Sequence, residues 1–139
     1  MTSTRSVAMS AFETIQLYAA PATVAPDGST VRALLSLASG SVAHFELAPG
    51  GVTHPIVHRS VSEIWFVIAG SGEMWRRQDE REETIALGAG VCLTIPAGTH
   101  FQFRASRERP VAAIGMTMPA WPGDDEAVRV EGPWVASIG

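Results

Sequence analysis

Short runs of β-forming residues, each closed by a glycine- or proline-rich turn, follow one another along most of this chain. The turn sequences are Pro26-Asp27-Gly28, Pro49-Gly50-Gly51, Gly70-Ser71-Gly72, Gly88-Ala89-Gly90 and Pro96-Ala97-Gly98. Such frequent turns leave no room for long helices and are typical of a β-sandwich or a closed barrel. The sequence therefore predicts an all-β fold.

The predicted strands share branched and aromatic residues and lack a sustained helical period. They span residues 12–18, 30–37, 41–48, 63–69, 73–77, 84–87, 91–95, 100–104 and 111–118. We expect a single domain over residues 1–139, with a barrel core over residues 30–118 and an irregular tail over residues 119–139. The charged run Gln78–Glu83 is expected to be a solvated hairpin tip.

Composition narrows the possible partners and compartments. The chain has 139 residues, 46% of them hydrophobic, and a formal net charge of −4. A negative chain of this kind is a poor partner for nucleic acid, which is bound through its phosphates. The apolar runs are too short to cross a bilayer, and the N-terminal residues lack the apolar segment of a signal peptide, so we expect no membrane partner and a cytoplasmic protein. The single cysteine, Cys92, is expected to be a small buried hydrophobic residue.

All four histidines lie in the central third of the chain, at positions 44, 54, 58 and 100. Around them, Gly50 is followed by His58, then by Glu63 and, seven positions later, by Gly70. A second segment runs from Gly90 through Pro96 and Gly98 to His100. His44 alternates with Glu46, so we expect both on an outward polar face.

These two segments resemble the two motifs of the cupin superfamily, G-x5-H-x-H-x3,4-E-x6-G and G-x5-P-x-G-x2-H-x3-N. The glycines, the proline, His58 and Glu63 match in register. The resemblance implies a double-stranded β-helix, or jelly-roll, barrel with His58 and Glu63 pointing into its mouth. It also implies a possible divalent metal ion, such as Zn, Fe, Mn or Ni.

The metal-ligand set of the family is only partly present. Ile56 stands at the position of the first histidine, Phe101 at that of the third, and Ala105 at that of the closing asparagine. His54 and His100 lie near these positions but out of register. At the strand rise, the ends of His54 and His58 are about 13 Å apart, and alternation turns His100 away from the lumen. The possible metal ligands are therefore His58 and Glu63, with His54 and His100 as weaker candidates.

Other side chains are expected to surround the His58–Glu63 pair. Trp65 and Val67 share the face of Glu63 along their strand, and Arg76 or Arg77 could turn inward to bind an oxygen of a ligand. The predicted substrate pocket consists of Trp65, Val67, Ile56, Phe101, Phe103 and Arg76.

The opposite face of the same strand, formed by Ile64, Phe66 and Ile68, is fully apolar. A large apolar patch is rare on the surface of a monomer. We expect it to be covered by a second copy of the chain in a homodimer or by an N-terminal strand over residues 12–18.

Three functions fit this pattern. The first uses Glu63 and His58 as catalytic acid–base groups in an isomerase, cyclase or lyase with weak or no metal dependence. The second is a metal-dependent, dioxygenase-like enzyme with an irregular histidine–glutamate site. The third is a barrel that binds a small molecule without catalysis. The shortage of ligands favours the first, because imidazole–carboxylate metal sites use at least three protein ligands.

Overall fold

The computed structural model describes residues 9–138, and these form ten antiparallel strands with no α-helix among them. The strands are β1 (Thr23–Val24), β2 (Thr30–Leu37), β3 (Gly40–Leu47), β4 (Ile56–His58), β5 (Ser62–Gln78), β6 (Arg81–Gly88), β7 (Cys92–Ile95), β8 (His100–Ala105), β9 (Val111–Met118) and β10 (Ala127–Arg129). Two short 3₁₀ turns, Leu17–Ala19 and Asp124–Glu126, complete the described elements. The all-β prediction is confirmed. In the described part of the chain, no helix is long and apolar enough to span a bilayer.

Strand β5 joins the two halves of the sheet. Its first half pairs with β7 and β9, and its second half pairs with β6 and β8. The strand order β1-β2-β3-β9-β5-β8-β4-β10 therefore curls around a shared interior, as in a jelly roll. The predicted turn Gly70-Ser71-Gly72 is wrong, because the chain stays extended there and merges two predicted strands into one.

Gly70 explains how β5 passes between the two halves. Its φ is +85°, and a Cβ at this position would lie 1.7 Å from the carbonyl oxygen of Pro110. Only glycine permits both the conformation and the close approach. The register shift between Val67 and Ala69 lies just before it. The turn-like glycines thus mark a bend inside a strand.

The inner faces of the strands pack into one apolar core. Its largest members are aromatic or long aliphatic residues with almost no solvent exposure: Trp65, Phe101, Phe103, Met74, Leu87 and Ile95. Because side chains alternate along a strand, Trp65 and Val67 point inward, whereas Phe66 and Ile68 point outward. This core holds the residues of β5 in fixed orientations.

Both ends of the chain differ from the predictions. Residues 12–18 form no strand: Phe12 is fully exposed, and only a 3₁₀ turn follows it. The tail is not wholly irregular, because β10 pairs with β4 through Ala127 and His58. The apolar periodicity that identifies a strand is absent from a three-residue edge segment, so β10 could not be recognised from local sequence.

Candidate active site

Glu63 and His58 lie together inside the barrel, as the sequence predicted. The Nδ1 atom of His58 is 3.6 Å from Oε2 of Glu63, just beyond hydrogen-bond distance. Both residues are buried, at 4% and 3% of their possible exposure. His58 ends β4 and Glu63 is the second residue of β5, so the short loop between these strands brings the two side chains together. No described residue hydrogen-bonds the Nδ1 of His58, so this atom faces the carboxyl group of Glu63 without another partner.

The indole of Trp65 fixes the other oxygen of the carboxyl group. Its Nε1 donates a 2.6 Å hydrogen bond to Oε1 of Glu63. Phe45 stacks on the indole at 5.0 Å between ring centroids. Gly115 leaves room for this stack, because a Cβ there would lie 2.7 Å from the Phe45 ring. The orientation of Glu63 is therefore set by packing as well as by hydrogen bonding.

Burial shifts the pKa values of Glu63 and His58 in opposite directions. It raises the pKa of Glu63 to about 7, against the lowering effect of the Trp65 hydrogen bond and with a further increase from the charge of Asp27. It lowers the pKa of His58 to about 4, against the opposing effect of the Glu126 carboxylate. Desolvation disfavours the charged form of each group, which explains both signs. At neutral pH, His58 is neutral and Glu63 is close to its midpoint.

A cavity of about 550 Å³ reaches Glu63 from the open side of the barrel. Its volume lies within the usual range for small-molecule sites. Small aliphatic and hydroxyl side chains from β2, β3 and β9 form most of its wall, together with two aromatic rings. Its lining includes Glu63, Phe45, Ala43, Ser41, Thr117 and Trp121.

Trp121 is a site residue that sequence reasoning missed. It lies in the tail after β9, where its ring packs edge-on against His58 at 5.0 Å between centroids, and its backbone N–H donates to the hydroxyl of Ser41. No strand periodicity marks this residue. Only the Trp-Pro-Gly turn could have drawn attention to it.

Glu126 attaches the same tail to the β4–β5 loop. Its carboxylate accepts hydrogen bonds from the backbone N–H of Ser60 and of Val61 and from the hydroxyl of Ser60. Burial raises the pKa of Glu126, but these hydrogen bonds outweigh that effect and lower it overall. The tail is therefore held against the loop that carries His58.

Most of the predicted pocket residues form the closed core beneath the cavity. Trp65, Val67, Ile56, Phe101 and Phe103 are buried in the apolar cluster, and none of them lines the cavity described above. Phe101 still packs edge-on against His58 at 5.2 Å. These residues pack behind His58 and Glu63, whereas the cavity opens on the side of β2 and β3.

Arg76 lies outside this cavity. Its guanidinium bonds to the carbonyl oxygen of Thr94 and to the carboxylate of Glu83 at another end of the barrel. Its Cα pairs with that of the core residue Phe101, so the strand alternation was predicted correctly. However, the side chain is long enough to leave the core and reach the surface, which alternation cannot show.

The remaining histidines do not complete a metal site. His100 lies on the face of β8 opposite to Phe101, as alternation predicted, and pairs with Val57. The backbone N–H of His54 donates to the carbonyl oxygen of Asp27, and its buried Nε2 has no hydrogen-bond partner among the described residues. In residues 9–138, no three side chains of histidine, cysteine, aspartate or glutamate converge as metal ligands. His58 and Glu63 supply two donors, whereas Ile56 and Phe101 supply none, so the donor set does not fit a tightly held ion.

His44 lies on the outward face of β3, as predicted, but it is buried there rather than exposed. Its exposure is 3%, and its Nδ1 is 3.9 Å from Oε1 of Glu46. It pairs across the sheet with Arg32 and Ile114. The polar alternation correctly placed it on the outer face, but the local pattern could not show that this part of the face is covered.

The strand order and the buried His58–Glu63 pair define a small jelly-roll barrel with ionisable groups in its interior. The cupin domain family matches residues 43–116, just over half of the chain. The chain therefore belongs to the cupin family.

Comparison with known proteins agrees with this assignment. The putative germin-like protein 12-4 of Oryza sativa subsp. japonica is 34% identical over 96 residues, which are 64% of this chain and 42% of that protein. The chain thus spans less than half the length of this relative. Oxalate decarboxylase from Bacillus subtilis superposes with a TM-score of 0.72 at 14% identity, over 84% of this chain and 31% of that one. Streptomyces Pac13 with uridine superposes with a TM-score of 0.69 at 16% identity, over 88% and 92% of the two chains.

Proposed function

We propose that this cupin is an enzyme that transfers protons on a small organic molecule, as an isomerase, cyclase or lyase, with Glu63 as the base. The observation that carries the proposal is the carboxyl group of Glu63, with a pKa raised to about 7, at the wall of a cavity of about 550 Å³. General bases work best when their pKa lies near the working pH. A carboxylate in water, with an ordinary pKa near 4.5, is a weaker base by comparison.

The geometry divides the work between the two oxygens of Glu63. Trp65 holds Oε1, which leaves Oε2 directed toward His58. The ionised carboxylate takes a proton from a carbon next to a carbonyl group, and the electron pair of the C–H bond moves toward that carbonyl. In an isomerisation the proton returns to a different atom. In a dehydration it leaves with a hydroxyl group as water, while a C=C bond replaces the broken C–H and C–O bonds.

Neutral His58 supports this cycle as a hydrogen-bond partner. With a pKa near 4, its Nδ1 can accept a hydrogen bond from protonated Glu63 at neutral pH without competing for a full positive charge. This stabilises the acid form after proton abstraction. No step requires a metal ion, in accordance with a set of only two donors.

The structural neighbours support an enzymatic role without specifying the reaction. One structure of Pac13, described as a nucleoside dehydratase, superposes with a TM-score of 0.69 at 15% identity, over 86% of this chain and 92% of that one. Dehydration belongs to the proton-transfer chemistry proposed above, which makes uridine and other molecules with a ring carbonyl a reasonable first set of substrates.

The test is a proton-exchange screen in deuterated water. We expect NMR to show loss of a C–H signal, or release of water with formation of a double bond, for at least one member of a panel of uridine, other nucleosides and small β-hydroxy carbonyl compounds. Glu63→Gln keeps the shape of the side chain but removes the base, so it should lower the rate by a factor of about 100 or more. The matched control is Glu108→Gln, at an exposed loop position.

Three results would contradict the proposal. Turnover retained by Glu63→Gln would show that another group is the base. Turnover that disappears on treatment with a chelator and returns with one divalent metal would favour the metal-dependent alternative. A ligand that binds with no exchange at any pH would favour a binding barrel.

A further inference from the structure

A second cavity lies at the end of the barrel where β5, β6 and the β7–β8 loop meet. It has a volume of about 300 Å³. It shares no described lining residue with the cavity that reaches Glu63. Its wall is polar and rich in guanidinium groups, and the side chains that matter are Arg76, Arg77, Arg81, Glu83, Gln78 and Thr99.

A single carboxylate lies between two of the arginines. Glu83 accepts a 2.9 Å hydrogen bond from Nη2 of Arg76 and lies 3.7 Å from Nη2 of Arg81. The neighbouring Glu82 is engaged on the other face of β6, where it accepts a hydrogen bond from Nε1 of Trp75. Three guanidinium groups and one carboxylate line this cavity, and Glu82 lies opposite Arg77 in the strand register.

This cavity also contains a hydrogen-bond donor that has no acceptor. The Nε of Arg76 is buried and has no partner among the described residues. The described part of the chain also offers Arg77 no ion-pair partner. At the cavity wall, the amide of Gln78 donates to the hydroxyl of the buried Thr99, which fixes that hydroxyl in position. Buried donors without acceptors cost free energy, and an incoming acceptor would recover it.

We propose that this arginine cavity is a binding site for a small oxyanion, the phosphate or carboxylate group of a metabolite. The proposal goes beyond the acid–base site and does not depend on it. Guanidinium forks match the oxygens of phosphates and carboxylates in a bidentate manner. The cavity lining, with three guanidinium groups and one carboxylate, also favours the approach of an anion. Glu83 occupies the position of a competing anion and keeps the arginines ordered while the site is empty.

The test measures binding of inorganic phosphate and of succinate to the whole protein by calorimetry at low salt. We expect one-to-one binding with a dissociation constant on the order of 1 mM or tighter for at least one of them, weakened by added sodium chloride. Phosphate binding with no succinate binding would assign the site to phosphate groups, and the reverse would assign it to carboxylates.

Three variants locate the anion. Arg81→Gln is at an exposed position that does not hold the core, and it should weaken binding about tenfold. Glu83→Gln removes the internal competitor and should strengthen binding. The control Arg107→Gln removes the same charge from an exposed loop outside both cavities and should leave the affinity unchanged.

Three outcomes would overturn the proposal. The first is no saturable binding of either anion, and the second is equal weakening by Arg81→Gln and Arg107→Gln. The third is binding that Glu83→Gln abolishes, because that would make the cluster an ion-pair network that only holds the barrel end together. Glu63→Gln should bind the anion as well as the unmodified protein, so failure of the proposed catalysis would remain separate.

Discussion

The indole Nε1 of Trp65 donates a 2.6 Å hydrogen bond to Oε1 of Glu63, two residues earlier on the same strand. Both side chains point into the barrel because residues i and i+2 share a face of a strand. The contact connects the largest aromatic side chain of the core to the proposed base. Trp65 can therefore report on the charge of Glu63 in an experiment that needs no substrate.

The first prediction concerns this reporter. The indole N–H signal of Trp65 should shift with pH around a midpoint near 7, because the carboxyl group that it contacts ionises there. Two-dimensional ¹H–¹⁵N NMR follows the shift, and Trp65→Phe identifies the signal. Glu63→Gln should abolish the titration, whereas Glu108→Gln should leave it intact. A midpoint near the ordinary value of 4.5 would refute the raised pKa.

The second prediction concerns stability as a function of pH. The raised pKa of Glu63 stabilises the fold at low pH, and this contribution is lost as pH rises from about 4.5 to about 7. The lowered pKa of His58 acts in the opposite sense, because its contribution is lost as pH falls from about 6.5 to about 4. The two slopes oppose each other over their shared range, so the unmodified protein should be nearly insensitive to pH there.

Single variants should expose each slope. In Glu63→Gln, stability should rise with pH between about 4 and 6.5, and in His58→Gln it should fall between about 4.5 and 7. The steepest slope for one proton is about 1.4 kcal/mol per pH unit. Urea unfolding at several pH values measures it. Parallel pH profiles in the two variants would contradict the assignment.

The third prediction concerns the tail that carries Trp121. Glu126→Gln keeps the volume of the side chain but weakens the hydrogen bonds to Ser60 and Val61, which are charge-assisted in the native protein. We expect a loss of about 1–3 kcal/mol in the free energy of unfolding, together with faster amide exchange at residues 119–126. The exposed Glu131→Gln is the control. Unchanged exchange in Glu126→Gln would show that the tail is held by other contacts.

The fourth prediction concerns the outer face of β5, β7 and β9. Phe66 and Ile68 are 46% and 42% exposed, so residues 12–18 do not bury them. Cys92 is exposed on the same face, and the prediction that it is buried is wrong. The outward residues of these strands carry no charge. They are Ser62, Ile64, Phe66, Ile68, Cys92, Thr94, Ala112, Ile114, Met116 and Met118.

We expect a second copy of the chain to cover this face, because an uncharged apolar sheet surface is complementary to itself across a twofold axis. Light scattering should give the mass of a dimer. Phe66→Arg should produce monomers with an unchanged β-sheet spectrum, whereas Arg107→Gln should remain dimeric. A monomer mass for the unmodified protein at concentrations of about 100 μM would exclude a stable dimer.

The sequence by itself determined the fold class and the central pair. Four of the five predicted turn sequences lie at strand ends, where glycine or proline permits the chain to reverse, and Gly70-Ser71-Gly72 is instead a bend within β5. Strand alternation correctly placed Glu63, Trp65 and Val67 on one face and Phe66 and Ile68 on the other. Side-chain alternation is a local property with a period of two residues, so it can be recognised without knowing which strands pair with each other.

Tertiary structure alone decided where the cavity opens and what surrounds the pair. The core takes in Phe101 and Phe103, whereas Trp121 and Thr117 line the open side. Alternation says that a side chain points inward, but it does not say whether the space there is filled by a neighbour or left open. That depends on residues far along the chain, such as Phe45 stacked on Trp65.

The pKa values of the pair also belong to the tertiary structure. Glu63 and His58 are five residues apart in the sequence, which predicts proximity but neither burial nor charge state. Desolvation by the packed core raises the pKa of one and lowers the pKa of the other. Arg76 illustrates the same limit: its backbone position was predictable, but the salt bridge to Glu83 at the barrel end depends on which strand lies beside it. Which charged side chains form ion pairs depends on which strands are neighbours in the sheet, and strand pairing is fixed only by the tertiary fold.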